Sequence, residues 1–362
     1  MKKTRLTSLI GVIIIVFTLA SCEGKDVTSK VINESLASMT EEISSKVSKP
    51  ENYTISFMSP WEDDPYFSNI FAGCEKAVEE LKKQDINVDL TYSKYTVDGK
   101  TAFYNFDAIK EEFSNGYDLI LYYPRDYENK THIEQFLKKN NKYIILYNEP
   151  EDGKKWDVSS SYYNDAYEMG VLAGEKMLEH LKENGKITGK IALLGANEMS
   201  TIVKLREEGF RSVFKDTAYE LLDTYISEGD PSLLEEKSKQ LIGEKVDGIY
   251  GMFHSATSVA GQVVLQNNKI DSIAVVGVDV NILELYKDDS ALKLIKSGAI
   301  KTIINPTSFD VGYECIMGSV KVLRGEKIEP KINKLPPIVI DKDNIDNYYK
   351  EMNDNYWKYR SL

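Results

Sequence analysis

The chain has 362 residues, 57 acidic and 45 basic, with a formal net charge of −12. An acidic surface repels nucleic acid and offers no basic patch for phosphates, so nucleic acid is excluded as a partner. Three cysteines and three histidines, with neither Cys-X-X-Cys nor His-X-X-X-His spacing, carry no metal or redox signature, and no metal or cofactor is expected.

The first element is an export signal. Lys2, Lys3 and Arg5 precede an apolar run from Leu9 to Leu19, too short to span a bilayer comfortably and characteristic of the h-region of a signal peptide. Leu19-Ala20-Ser21-Cys22 follows and resembles the lipobox of bacterial lipoproteins. That resemblance implies removal of residues 1–21 and lipidation of Cys22. Acyl chains contribute about 0.8 kcal/mol per buried CH₂, so two or three anchor a domain stably. Residues 1–21 carry three positive charges and no acid, so their loss moves the net charge from −12 to −15. No second long apolar run exists. The expected location is therefore the extracytoplasmic face of the cell membrane, held by the lipid alone. Residues 22–51 read as a polar tether, or in part as an amphipathic helix through Val27, Val31, Ile32, Leu36, Met39, Ile43 and Val47.

From Tyr53 onward short apolar runs alternate with stretches of helical period. Strands are expected at 53–58, 88–91, 117–122 and 143–147, with helices at 67–83, 101–114 and 131–139 between them. A second series predicts strands at 190–194, 221–226, 248–252, 273–278 and 301–304. Its helices fall near 165–183, 201–214, 232–242, 256–267, 282–296 and 308–323. Such alternation implies parallel sheets covered on both faces. About 300 residues exceed one comfortable core, so two doubly wound α/β lobes are expected. Cys74 shares a helix face with Phe67, Ile70, Phe71, Val78 and Leu81 and reads as a small buried hydrophobe, as does Cys315; a disulfide between them is the alternative. Residues 342–362, with Tyr348, Tyr349, Met352, Tyr356 and Trp357, read as a helix on the outside of a lobe, or as a docking element.

Open parallel sheets bind ligands beyond the carboxyl ends of their strands. The residues standing there are Asp64, Tyr66 and Phe67 after the first strand and Asn148 and Glu149 after the fourth. In the second series they are Lys204, His254, Asp279 and Asn305. Each alone could be a solvated loop residue. Together they offer the directional donors, acceptors and aromatic faces that a polyol needs.

The order of these elements resembles that of the type I periplasmic sugar-binding proteins over roughly residues 52–341. Its landmarks are Asp64-Pro65-Tyr66-Phe67, Gly170-Val171-Leu172-Ala173-Gly174, Arg206-Glu207-Glu208-Gly209-Phe210 and Val275-Val276-Gly277-Val278-Asp279. The resemblance implies two lobes joined by three hinge crossovers, near 158–162, 305–307 and 335–338. Lobe one would hold 52–158 and 307–335, and lobe two 159–306 and 336–341. In the ribose binders of that family an asparagine and two phenylalanines stand where Asp64, Tyr66 and Phe67 stand here. Asn148-Glu149 replaces an Asp-Arg pair, Lys204 an arginine, His254 an asparagine and Asn305 the hinge glutamine, while the aspartate is retained as Asp279. The exchanges make the pocket more acidic and remove an arginine fork, which disfavours ribose itself and leaves other pentoses, hexoses, amino sugars and polyols.

The function implied is a monomeric solute-binding lipoprotein that captures a monosaccharide or similar polyol and delivers it to an ABC permease. A sugar sensor that signals to a membrane histidine kinase or chemoreceptor is the alternative. An enzyme finds no support, because the sequence lacks a glycine-rich phosphate loop, a Gly-X-Ser-X-Gly elbow and a carboxylate pair with glycosidase spacing. A sugar-responsive repressor shares the fold but would not begin with an export signal.

Overall fold

A strand that returns parallel to its predecessor needs a crossover, and a helical crossover buries its apolar stripe on the sheet it spans. The computed structural model describes residues 51–59, 65–94, 96–97, 100–101, 106–124, 128–148, 155–196, 201–279 and 290–355. The expected signal peptide, Cys22 and the tether through residue 50 lie outside the described residues, as do Asp64, Glu149 and the stretch 356–362.

The chain begins with β1 (Glu51–Ser59), α1 (Pro65–Lys82), β2 (Ile86–Lys94), β3 (Thr96–Val97), β4 (Lys100–Thr101), α2 (Phe106–Ser114), β5 (Leu119–Tyr122), α3 (Lys130–Asn140), β6 (Tyr143–Leu146) and β7 (Ser160–Tyr163). It continues through α4 (Ala166–Glu183), β8 (Gly189–Gly195), α5 (Thr201–Phe214), β9 (Tyr219–Leu221), β10 (Tyr225–Ile226), α6 (Pro231–Gly243), β11 (Gly248–Gly251), α7 (His254–Gln266), β12 (Ala274–Val278), α8 (Ser290–Lys296) and β13 (Thr302–Asn305). It closes with α9 (Ser308–Leu323), β14 (Ile332–Lys334), β15 (Ile338–Asp341) and α10 (Ile345–Asn355). Two lobes result. The first sheet has the order β14-β7-β6-β5-β1-β2, and the second runs β10-β8-β11-β12-β13-β15 with β9 also beside β8. The β3–β4 pair is a separate antiparallel ribbon.

Each sheet is buried on both faces, and the two-residue period sorts its side chains into two cores. In the first, Ile55, Phe57, Leu119, Leu121 and Ile145 face α1 and α9, where Ile70, Cys74, Val311 and Cys315 meet them. Met58, Ile120, Tyr122, Ile144 and Leu146 face α2 and α3 through Ile109, Phe113, Ile133 and Leu137. In the second, Ile191, Leu193, Tyr250, Val276 and Ile304 pack on α4 and α5, and Leu194, Ile249, Val275 and Ile303 pack on α6, α7, α8 and α10. Each such side chain contributes roughly 1.5–3 kcal/mol on burial. Cys74 and Cys315 are free, buried thiols, and burial pushes both well above the ordinary thiol range.

Three features differ from the sequence reading. Residues 160–163, assigned there to lobe two, form β7 of the first sheet, parallel to β6 and β14, so the first crossing falls after Tyr163. Ser160-Ser161-Tyr162-Tyr163 has no apolar alternation, yet all four residues are buried, and Ser160 donates to the Lys331 carbonyl at 3.0 Å. The expected strand at 221–226 is two short strands beside β8. Strands β14 and β15 carried too few residues to read from periodicity. Helix α10 packs on lobe two: its Ile345, Tyr348 and Met352 join the core there, and Asp346 pairs with Lys296 at 2.5 Å.

Within each lobe one helix pair packs backbone to backbone through glycine. A Cβ on Gly312 of α9 would fall 1.8 Å from the Ile70 carbonyl oxygen of α1, and one on Gly73 would fall 1.9 Å from that of Phe309. In lobe two the reciprocal pair is Gly170 of α4, 2.1 Å from the Arg206 carbonyl oxygen, and Gly209 of α5, 2.1 Å from that of Tyr167. The obstacle in each case is main chain, which cannot swing aside. Gly312→Ala is therefore expected to cost at least about 2–3 kcal/mol in urea unfolding. Gly243→Ala, where a Cβ meets nothing within 4 Å, is expected to raise stability by roughly 0.5 kcal/mol. Equal effects at the two sites would refute the close-approach argument.

Candidate functional site

The register of the parallel strands places their carboxyl ends at common levels. In lobe one Met58, Tyr122 and Leu146 stand side by side, so Ser59, Tyr123 and Tyr147 form the next layer. In lobe two Val278 pairs with Ile304, which brings Asp279 and Asn305 to one level, and Gly251 is flanked by Leu194 and Gly277.

The lobe-one edge is aromatic. Tyr66 and Phe67 lie at the start of α1, edge to face with centroids 5.2 Å apart. Phe67 is buried at 5 % exposure and packs on Tyr123 at 5.5 Å and Tyr147 at 6.2 Å, so its ring belongs to the lobe's core, while Tyr66 is half-buried. The rings of Tyr147 and Phe57 stack at 4.6 Å, and the Tyr147 hydroxyl donates to the Met58 carbonyl at 2.6 Å. Burial pushes the Tyr147 phenol well above its usual range and keeps it a neutral donor. Asn148, half-buried, follows it directly. Tyr123 and Tyr147 belong to this edge, yet sequence reasoning did not single them out. Tyr123 stands one residue beyond a predicted strand and Tyr147 ends another, the signal that could have found them.

The lobe-two edge is polar. Asp279 has φ +69, a left-handed backbone that aspartate tolerates better than most residues, and its amide donates to the Ile304 carbonyl at 3.0 Å. His254 opens α7, half-buried, its ring 6.1 Å from Phe253 and edge-on to it. Lys204, in the first turn of α5, is exposed. Asn305 is buried and its Nδ2 donates to the Tyr348 hydroxyl at 2.8 Å and to the Pro306 carbonyl at 3.3 Å. The structure thus ties the Asn305 amide nitrogen to the C-terminal helix. Arg206, another residue not anticipated, donates from Nη1 to the Met252 carbonyl at 2.7 Å and so steadies the turn that carries His254.

Chemically, lobe one offers an aromatic surface and lobe two an acceptor-only carboxylate, an imidazole and an ammonium. The other histidines stand elsewhere: His180 Nε2 lies 2.8 Å from Thr302 Oγ1 at the amino end of β13, and His132 stacks on Phe106. Among the described residues no group of three or more His, Cys, Asp or Glu side chains could hold a metal ion, and no helix is long and apolar enough to cross a membrane.

Known proteins place this architecture. The chain resembles GanP, a glucose-galactose binding protein from Geobacillus stearothermophilus, with a TM-score of 0.65 and 16 % identity, covering 82 % of this chain and 99 % of that one. It also resembles a carbohydrate transporter solute binding protein from Agrobacterium radiobacter, solved with D-arabinose, with a TM-score of 0.67 and 19 % identity over 85 % of this chain and 100 % of that one. Identities this low show the fold alone. In sequence, the ribose import binding protein RbsB of Haemophilus influenzae is 24 % identical over 195 residues, 53 % of this chain. The match spans 62 % of that relative's length. The family model described as the periplasmic binding protein domain matches residues 55–327, and the chain belongs to that family.

Proposed function

We propose that this chain is an exported, lipid-anchored binding protein that captures a monosaccharide or similar polyol between its lobes and delivers it to an ABC permease. The observation that carries the reading is the pairing of two carboxyl edges of complementary chemistry within one binding-protein fold. Tyr66 supplies an aromatic face for sugar C–H groups from lobe one, and Asp279 and His254 supply hydrogen-bonding groups from lobe two. Solved relatives of the same fold include a glucose-galactose binder and a protein solved with D-arabinose, which supports a sugar as the ligand class. Asp64, Asn148, Glu149 and Lys204 complete the proposed contact set, with Phe67 supporting Tyr66 from beneath and Asn305 acting at the hinge. Closure follows by population shift, because only the closed form touches ligand from both lobes. Cys22 is the proposed lipid attachment.

A second reading, sensing instead of transport, draws support from the XylFII-LytSN complex, in which a chain of this fold is solved with a second protein (TM-score 0.63, 17 % identity). Recovery of a permease from cross-linked membranes would favour transport; recovery of a histidine kinase would favour sensing.

A thermal-shift screen of the purified chain against monosaccharides, amino sugars and polyols tests the ligand class. A ligand at a hundred times its Kd adds about 2.7 kcal/mol, a visible rise in midpoint, whereas silence across the panel in a folded sample would reject a sugar. With a ligand in hand, Asp279→Asn keeps a residue that accepts the left-handed backbone and removes the charge. It should weaken binding in calorimetry by about 1.5–3 kcal/mol, the worth of a charged hydrogen bond, with the ligand-free midpoint unchanged. Unaltered affinity would remove Asp279 from the site. Cys22→Ser should release the protein from sedimented membranes, and continued pelleting would contradict the lipid anchor.

A further inference from the structure

Among the described residues the chain passes between the two sheets three times: after β7 at residues 164–165, after β13 at 306–307 and after β14 at 335–337. Two side chains, Asn164 and Thr307, touch all three passages, and Asn164 holds both of the others directly. Asn164, 6 % exposed, lies on the first. Its Nδ2 donates to Thr307 Oγ1 at 2.9 Å on the second and to the Leu335 carbonyl oxygen at 2.8 Å on the third. A carbonyl can only accept, so the amide nitrogen, not its oxygen, must face Leu335. Thr307 Oγ1, having accepted from Asn164, donates onward to the Pro336 carbonyl at 3.2 Å, back on the third passage. The four groups form one directional chain in which every donor has an acceptor.

Neighbouring bonds reinforce this clasp. The Leu335 amide donates to the Tyr163 carbonyl at 2.8 Å, and Lys334 pairs with Asp165, the residue that caps α4. The second passage starts from a fixed point in lobe two, because Asn305 just before it is bonded to Tyr348 of α10. Asn164 Oδ1 is buried without a hydrogen-bond partner. The amide is thus held by what its nitrogen joins and not by full satisfaction of the group.

We infer that Asn164 is the pin that makes the three passages move as one when the lobes change orientation. Separate passages would each flex about their own torsions and let the lobes twist as well as close. A shared amide removes that freedom and leaves a single hinge. The purpose of such a pin rests on the ligand-capture reading above, but its existence does not depend on which ligand binds.

Hydrogen–deuterium exchange of the ligand-free full chain tests it. In Asn164→Ala, amide exchange at 163–166, 307–309 and 333–335 should accelerate together, by about five- to tenfold, the change expected for loss of one hydrogen bond from a local opening equilibrium. Amides of β5, β6, β11 and β12 should keep their rates. Acceleration confined to 163–166, with the other two passages unchanged, would overturn the proposal. If the alanine variant loosens the core strands as well, Thr307→Val decides. It removes one acceptor on the second passage, and must still speed exchange on the first and third; unchanged rates there would overturn the pin. No ligand enters the measurement, so a silent sugar screen would reject the capture reading and leave this result standing.

Discussion

Parallel strand pairing is the constraint from which the rest of this molecule follows. A parallel ladder cannot be closed by a tight turn, so each return needs a crossover. Here helices supply most of the crossovers and cover both faces of both sheets, which gives the four cores their alternating membership: Ile191 and Leu193 on one side, Ala192 and Leu194 on the other. The same constraint turns the carboxyl ends of neighbouring strands to one edge. That edge cannot be covered by the crossovers, because each leaves from it. Polar and aromatic side chains are gathered there as a by-product of how the strands pair, and in lobe one the Tyr123 and Tyr147 rings of adjacent strands lie 6.1 Å apart for that reason.

Tight packing beneath the edges gives them their rigidity. Helices α1 and α9, and likewise α4 and α5, approach until main chain meets glycine, which draws Cys74, Cys315, Phe210 and Tyr250 into full burial. Phe210 and Tyr250 stack at 4.1 Å, almost parallel, under the turn that presents His254. Rigid lobes leave reorientation to the few residues that pass between them, and there hydrogen bonds replace apolar packing. Asn164, Thr307 and Asn305 are all polar, and their side chains join the passages to one another and to the C-terminal helix. Hydrogen bonds are directional and individually modest, a combination suited to a joint that must hold a line and still turn.

Much of this was legible in the chain itself. Residues 119–122, 144–146, 191–194 and 274–278 are apolar runs too short for helices and too continuous for exposed strands, and they form the sheet centres. The positions Tyr66, His254, Asp279 and Asn305 were readable as strand ends because the carboxyl-edge rule needs only strand boundaries. Their surroundings were not. Phe67 reads both as a member of the apolar helix face of Cys74 and as a ligand-facing ring beyond the first strand, and Tyr123 and Tyr147 enclose it. Asn305 reads as a hinge residue of the ligand set, and the bond of its amide nitrogen to a tyrosine 43 positions later was not legible. Residues 160–163 gave no strand signal because their burial comes from neighbours on both sides, β6 and a segment about 170 residues downstream.

By itself the sequence determined the α/β class, the two-lobed division and the places where ligand-facing residues could stand. Those properties depend on local period and on the order of elements, both of which are one-dimensional. Only the tertiary structure decided that β7 belongs to lobe one, that the C-terminal helix completes the core of lobe two, and that one asparagine joins three passages. Each of these rests on contacts between segments 143 to 171 residues apart, or on the fit of a side chain into a space that distant segments enclose. Hydrophobic periodicity reports which face of an element is buried; it carries no information about which distant element does the burying.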